Sequence, residues 1–259
     1  QSDNDFLPCQ PRIGQSRTDF RLHQQSHGLL RFRPRPDGKR RALHPEAEDA
    51  ISAEGDCSTV PAMPLNVLLI RHGQSEWNAT GRWQGQADPP LTDEGRNDAR
   101  RAAEALGAFD AVVASTLQRA IETAEALADG IGVGPVLTDP RWMERTAGPW
   151  EGLTRPEIEA GWPGHLAEGG RPAGWEADEV LVTRALAALA GLWVQTSDGQ
   201  VAVVTHSGLI MAVERHLGEP AGRLPNLGGR WVVGHAADRW ELGPRVQLID
   251  AATSPGVIE

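Results

Sequence analysis

Short apolar runs alternating with helix-period segments predict an α/β fold, a three-layer sandwich with helices on both faces of a mostly parallel central sheet. Three observations carry that expectation. Val67-Leu68-Leu69-Ile70, Ala111-Val112-Val113-Ala114 and Val201-Ala202-Val203-Val204 are short, continuously apolar runs of the kind found in buried strands. An amphipathic helix pattern follows each of them, at once or after a loop. Each also ends in polar residues: Arg71-His72-Gly73, Ser115, and Thr205-His206-Ser207-Gly208.

Residues 1–62 differ from the rest. They are rich in Gln, Arg, Pro and Asp, and no period lasts more than a few residues. Leu29-Leu30-Arg31-Phe32-Arg33 is a candidate short strand, stopped by Pro34 and Pro36. A segment this poor in apolar residues does not offset the entropy of ordering, so it reads as disordered or loosely attached. Met63 stands directly before the first long strand, so a second reading is upstream sequence translated from a start assigned too early. The predicted domain is 63–259.

Within it, residues 74–91 are polar and punctuated by Gly and Pro, a long loop. Thr92 caps a helix whose face is Ala99, Ala102, Ala103 and Leu106, and Gly107 ends it. The strand ending at Ser115 leads into a helix with Leu117, Ala120, Ile121, Ala124, Leu127 and Ala128 on one face. Val136-Leu137 is a third, shorter strand. Residues 140–178 break the alternation with Trp142, Trp150, Trp162, Trp175 and many Gly and Pro. Thr154-Arg155-Pro156-Glu157 fits a capping box, predicting a short helix after it. A long helix spans about 178–194, with Leu181, Ala185, Ala188, Leu189 and Leu192 on one side. Ser207 is placed to cap the helix carrying Leu209, Ile210, Val213 and Leu217. Residues 230–250 read as three short antiparallel edge strands.

The net charge of the 259 residues is −10. Residues 1–62 hold nine basic and nine acidic side chains, so the whole excess lies in the predicted domain. An acidic domain argues against nucleic acid or an anionic membrane as partner, but not against a small anion in a basic pocket. The only lysine is Lys39, so an anion site in the domain must be built from Arg, His, amides and backbone N–H groups. Cys9 and Cys57 both precede it, which excludes a thiol nucleophile, a Cys-ligated zinc and a disulfide framework there. No apolar run approaches membrane-spanning length, and the amino terminus shows no basic-then-apolar leader, so the expected location is cytoplasmic.

In a parallel sheet the carboxyl ends of the strands share one edge, where ligands bind. Arg71, His72, Arg119 and His206 then converge on one crevice, with helix amino termini adding N–H donors. Two Arg forks suit a phosphate-like dianion. A neutral imidazole is a competent nucleophile toward phosphorus, and a second, protonated one would stabilise the phosphoryl oxygens. The leaving alkoxide needs an acid. Glu144, after the third strand and beside Trp142, stands out, with Glu76 and Glu151 as rivals. No spacing supports a His/Glu metal site. Trp150, Trp162 and Trp175 are expected to pack a lid.

These blocks resemble the histidine phosphatase superfamily, which contains the cofactor-dependent phosphoglycerate mutases and many small phosphatases. The resemblance rests on Leu69-Ile70-Arg71-His72-Gly73-Gln74-Ser75-Glu76-Trp77-Asn78, Arg82-Trp83-Gln84-Gly85, Leu91-Thr92-Asp93-Glu94-Gly95, Ser115-Thr116-Leu117-Gln118-Arg119-Ala120, Glu144 seven residues before Glu151-Gly152, and Thr205-His206-Ser207-Gly208. It covers about residues 65–252 and implies a phosphoglycerate mutase-like fold. It also implies that His72 is phosphorylated, its other ring nitrogen held by a backbone carbonyl. Arg71, Asn78, Arg119 and His206 would hold the phosphoryl oxygens, and Glu144 would be the proton donor. Gln84, Gly85 and Ser207 are further site candidates. No metal and no cofactor are implied.

Two departures matter. Ala147-Gly148 stands where the family has an aromatic-Gly pair, which bears on how the loop carrying Glu144 sits. Residues 146–178 are short and lysine-free, and Gln84 replaces a small hydroxyl residue, which favours hydrolysis over mutase chemistry. The expected function is therefore metal-independent hydrolysis of a small phosphorylated metabolite. Mutase-type phosphoryl transfer and a non-catalytic phospho-ligand binding protein are the alternatives.

Overall fold

A computed structural model describes residues 21–24, 30–33, 64–219 and 222–249. Strands β1 (Arg21–Gln24) and β2 (Leu30–Arg33) pair antiparallel. The expected short strand before Pro34 is β2; the rest of the expectations for 1–62 fall outside the described residues.

The domain follows as β3 (Leu65–Arg71), α1 (Glu76–Ala79), α2 (Asp93–Glu104), β4 (Ala111–Ala114), α3 (Gln118–Ile131), β5 (Leu137–Thr138), α4 (Arg155–Gly161), α5 (Asp178–Thr196), β6 (Gly199–Thr205), α6 (Ser207–His216), β7 (Gly228–Ala236) and β8 (Arg239–Gln247). Six strands form one sheet in the order β5-β4-β6-β3-β7-β8. β5, β4, β6 and β3 run parallel, and β7 and β8 add an antiparallel edge. This is the predicted three-layer sandwich.

The strands read as unbroken apolar runs because both sheet faces are covered. Alternate residues go to opposite layers. Leu65, Val67, Leu69, Val201 and Val203 pack against α5 and α6, while Leu68, Ile70, Val112, Ala202 and Val204 pack against α2 and α3. Each Val, Leu or Ile side chain so buried contributes roughly 1.5–3 kcal/mol. A third, smaller cluster joins Ala147, Trp150 and Ile158 to Trp83, Trp162 and Trp175.

Several boundaries differ from the sequence reading. The loop at 74–91 contains α1, made possible by a capping box in which Ser75 and Asn78 satisfy each other's backbone N–H groups. Helix α2 closes at Ala105, before Gly107. Ser207 is the first residue of α6, not its cap; the capping position is held by His206, whose side chain bonds elsewhere. The three edge runs are two nine-residue strands, interrupted by register shifts at Arg230/Val232 and Gly234/Ala236 that a periodicity count reads as breaks. The long helix and the capping box at Thr154 stand as read. Among the described residues no helix is long and apolar enough to cross a membrane.

Candidate active site

Register places the chemistry. Arg71 lies opposite Thr205 in the β3–β6 pair, and Ala114 opposite Val204 in the β4–β6 pair. His72 and His206 therefore leave the sheet at the same level, with Ser115 one residue before it, opposite Thr205. The backbone N–H of His72 donates to Thr205 O at 3.0 Å, and that of Ser115 to Val204 O at 2.9 Å. The two imidazole centroids are 5.2 Å apart.

The tautomer of His72 follows from its two partners. Its Nδ1 is 2.7 Å from Gly73 O, and a carbonyl only accepts, so Nδ1 carries the proton. Its Nε2 is then a lone pair, and accepts from Arg119 Nε–H at 3.3 Å. Burial first, then the charges of Arg119 and Arg71, hold the His72 pKa well below its ordinary 6.5, against the Gly73 bond, which raises it. The ring is neutral at neutral pH, with the lone pair on Nε2.

Its backbone is fastened from three sides. Gly73 N–H donates to Thr123 Oγ1 at 3.0 Å, and Asn226 Nδ2 lies 2.9 Å from His72 O and 3.0 Å from Gly73 O. Gly73 must be small: a methyl group there would come to 2.9 Å from Gly95 O, at the start of α2.

Arg119 is buried and uses its whole fork. Besides His72, it donates through one terminal nitrogen to Ala87 O at 2.7 Å and through the other to Gly85 O at 2.9 Å. Arg71, also buried, donates to Leu224 O at 2.6 Å. His206 Nε2 is 2.8 Å from Ser115 Oγ, while its Nδ1 is buried without a hydrogen-bond partner among the described residues. Burial, then Arg119 and His72, push its pKa well below 6.5. Burial and the charges of Arg119, Arg184 and Arg71 thus favour the neutral ring and work against the protonated second imidazole expected from the sequence.

Asn78 divides its amide. Its Oδ1 accepts from Ser75 N–H at 3.2 Å and Asn226 Nδ2 at 3.1 Å, while its Nδ2 is buried with no hydrogen-bond partner among the described residues. Gln84 Oε1 accepts from Ser75 Oγ–H at 2.8 Å. Glu144 is half-buried at the start of α6, where Gly208 N–H donates to Oε2 at 2.9 Å and Arg145 N–H to Oε1 at 2.8 Å. Its rival Glu151 spends one oxygen on the N–H groups of Gln86 and Ala147 at 3.0 and 3.1 Å. Glu76 sits exposed in the first turn of α1.

A cavity of about 890 Å³ opens onto His72, Arg119, Glu144, Gln84, Gly85 and Gly208. Arg71, Asn78, His206 and Ser207 do not line it but are buried in the same cluster of strand ends and loops. Its far wall holds Trp83, Trp175, Arg145, Arg171 and Arg215.

A model of the histidine phosphatase superfamily (branch 1) matches residues 67–231. The chain belongs to that superfamily. It is similar to a glucosyl-3-phosphoglycerate phosphatase of Mycolicibacterium vanbaalenii, 40% identical over 178 residues, 63% of this chain and 79% of the relative. It is 32% identical to a metal-independent phosphoserine phosphatase of Arabidopsis thaliana over 172 residues, 62% and 72% of the two chains. Proteins named as phosphoglycerate mutases match as well. Among solved structures, a mycobacterial glucosyl-3-phosphoglycerate phosphatase in complex with VO3 superposes with a TM-score of 0.63 at 32% identity, covering 68% of this chain and 96% of the other.

The residues that sequence reading missed in this histidine phosphatase are Thr123, Asn226, Arg184 and the three arginines of the far wall. Arg184 reaches across to Arg141 O, Met143 O and Glu144 O at 2.8, 2.6 and 3.0 Å, fastening the loop that carries the carboxylate. Asn226 lies 148 to 154 positions from the groups it holds, in a segment without periodicity. No local signal marks such a residue. Arg145 had one: it directly follows Glu144.

Proposed function

We propose that this histidine phosphatase hydrolyses a small phosphorylated metabolite through a phosphohistidine at His72. The observation that carries the reading is the buried, neutral imidazole with its proton on Nδ1 and its Nε2 lone pair turned to Arg119. Nε2 attacks phosphorus and the P–O ester bond breaks. Glu144, at the cavity wall, supplies the proton for the leaving alkoxide. Water then attacks the phosphohistidine, Glu144 takes its proton, and phosphate leaves.

Arg119, Arg71, the Nδ2 group of Asn78 and His206 are the donors for the phosphoryl oxygens, with Gln84, Gly85 and Ser207 shaping the same end. An incoming dianion takes over the Arg119 N–H now directed at Nε2, freeing the lone pair for attack. Its negative charge also favours a proton on His206. A cytoplasmic location belongs to this reading.

The test is phosphate release from 4-nitrophenyl phosphate by the wild-type chain and by His72→Ala, with acid-labile, alkali-stable labelling of the protein. Release that survives His72→Ala overturns the covalent route. No release from any ester leaves a binding protein. Isomer formation from 2- or 3-phosphoglycerate without net release would favour phosphoryl transfer.

A further inference from the structure

The cavity has two cationic ends. The first is the His72–Arg119 end. At the other, Arg145, Arg171 and Arg215 line the wall with Trp175, Asp178 and Glu179. Three guanidiniums against two carboxylates leave one positive charge in excess, in a chain whose net charge is −10.

The pairing within this cluster is uneven. Asp178 serves two cations, Arg145 at 2.7 Å and Arg215 at 2.6 Å. The neighbouring Glu176 is committed to Arg184 at 2.9 and 3.0 Å. Arg171 donates to a neutral acceptor, Gly170 O, at 2.7 Å. Its guanidinium lies 4.9 Å from the centre of the Trp175 indole, and that of Arg145 lies 5.2 Å from the same ring. Two like charges thus contact one indole ring. Burial, then the charge of Arg145, push the Arg171 guanidinium below its ordinary value.

Arg145, Asp178 and Arg215 tie the start of α5 to α6, which accounts for those three. It does not account for Arg171, whose exposed side chain takes no part in those two ion pairs and faces the cavity. We infer that Arg171, with Arg215 and Arg145, forms a subsite for an oxyanion on the alcohol part of the substrate, a carboxylate or a second phosphate, with Trp175 as the flat wall beside it. The planar fork of Arg binds either group through two oxygens. The inference rests on the phosphatase reading of the first end, since the alcohol is what that end releases.

Binding to His72→Ala protein, measured by calorimetry, separates the two. Glycerol 3-phosphate, 3-phosphoglycerate and glycerol 1,3-bisphosphate differ at the end remote from one phosphate: a hydroxymethyl, a carboxylate and a phosphate. One or both oxyanion-bearing esters should bind about tenfold tighter than glycerol 3-phosphate. The tighter of the two names the group.

Arg171→Gln combined with Arg215→Gln should erase the preference, while glycerol 3-phosphate affinity stays within about twofold. The same ratios should appear in wild-type kcat/KM for phosphate release, which covers the case of a His72→Ala chain that does not fold. Equal affinities for all three ligands, or a preference unchanged in the double variant, overturn the subsite. Failure to release phosphate from 4-nitrophenyl phosphate, whose alcohol carries no oxyanion, overturns the phosphatase reading and leaves the binding preference to stand or fall by itself.

Discussion

Arg119 directs its Nε–H at the Nε2 of His72 across 3.3 Å, the lone pair that attacks phosphorus in the proposed mechanism. One contact thus marks the proposed nucleophilic atom, holds the ring in one tautomer with help from Gly73 O, and keeps a cation where the proposed reaction collects charge. Arg119→Lys loses the fork and its bonds to Gly85 and Ala87. We expect kcat/KM for 4-nitrophenyl phosphate to fall about 10²–10³-fold, as when one transition-state donor is removed. Steady-state kinetics at saturating and sub-saturating ester measure it, and an effect confined to KM would contradict the assignment.

Asn226 is a positioning residue, touching the backbone oxygens of His72 and Gly73 rather than substrate. Asn226→Ala removes its bond to His72 O and one of two donors each from Gly73 O and Asn78 Oδ1, costing about 1–3 kcal/mol of stability. The distinguishing readout is kinetic: kcat should drop roughly tenfold or more with KM little changed, because the ring is misaligned while the phosphate donors remain. A stability loss with wild-type kcat would make Asn226 merely structural.

Both histidines are neutral in the fold because burial and nearby guanidiniums depress their pKa values. The unfolded chain binds these protons below about 6.5 and the folded one refuses them, so stability is full above that pH and falls beneath it. Denaturant midpoints from pH 8 to 5 should decline more steeply in the wild type than in His206→Gln. Phosphate binding should reverse the preference and draw a proton onto His206. Calorimetry in buffers of different ionisation enthalpy should show net proton uptake; none would mean that His206 acts as a neutral donor.

Glu144 needs room at the start of α6. A methyl group on Gly208 would stand 2.5 Å from Glu144 Oε1, so Gly208→Ala displaces the carboxylate. For alkyl phosphates, Glu144→Gln and Gly208→Ala should each lower kcat/KM about 10²–10⁴-fold. For 4-nitrophenyl phosphate, whose phenolate leaves without a proton, the loss should be at most about tenfold. Equal losses on both esters would place the acid elsewhere.

The tryptophan cluster divides by burial. Trp150 is fully buried among Trp83, Trp162 and Trp175, with ring centroids 5.4, 6.2 and 5.8 Å away. Trp150→Ala should cost about 3–5 kcal/mol in chemical denaturation. Trp175 also faces the cavity, so Trp175→Ala should shift relative kcat/KM across a panel of phosphate esters. Exchange of residues 146–178 for a relative's segment should do the same; an unchanged profile in both would take substrate choice away from this segment.

What the sequence determined by itself is the layered α/β architecture and which residues end its strands. Both are local: a continuous apolar run has to be buried on two faces, and the polar residue after it has to emerge at the sheet edge. That is how His72, Arg119 and His206 were legible together once three strands were seen to end alike. Tertiary structure alone decided the order β5-β4-β6-β3-β7-β8, which brings His72 beside Ser115 and His206. It also decided the neutral state of both rings, which depends on burial and on charges distant in sequence. The same holds for Asn226, Arg171 and Arg215. Their roles come from neighbours supplied by other elements, and pairing between distant segments leaves no period or spacing to read.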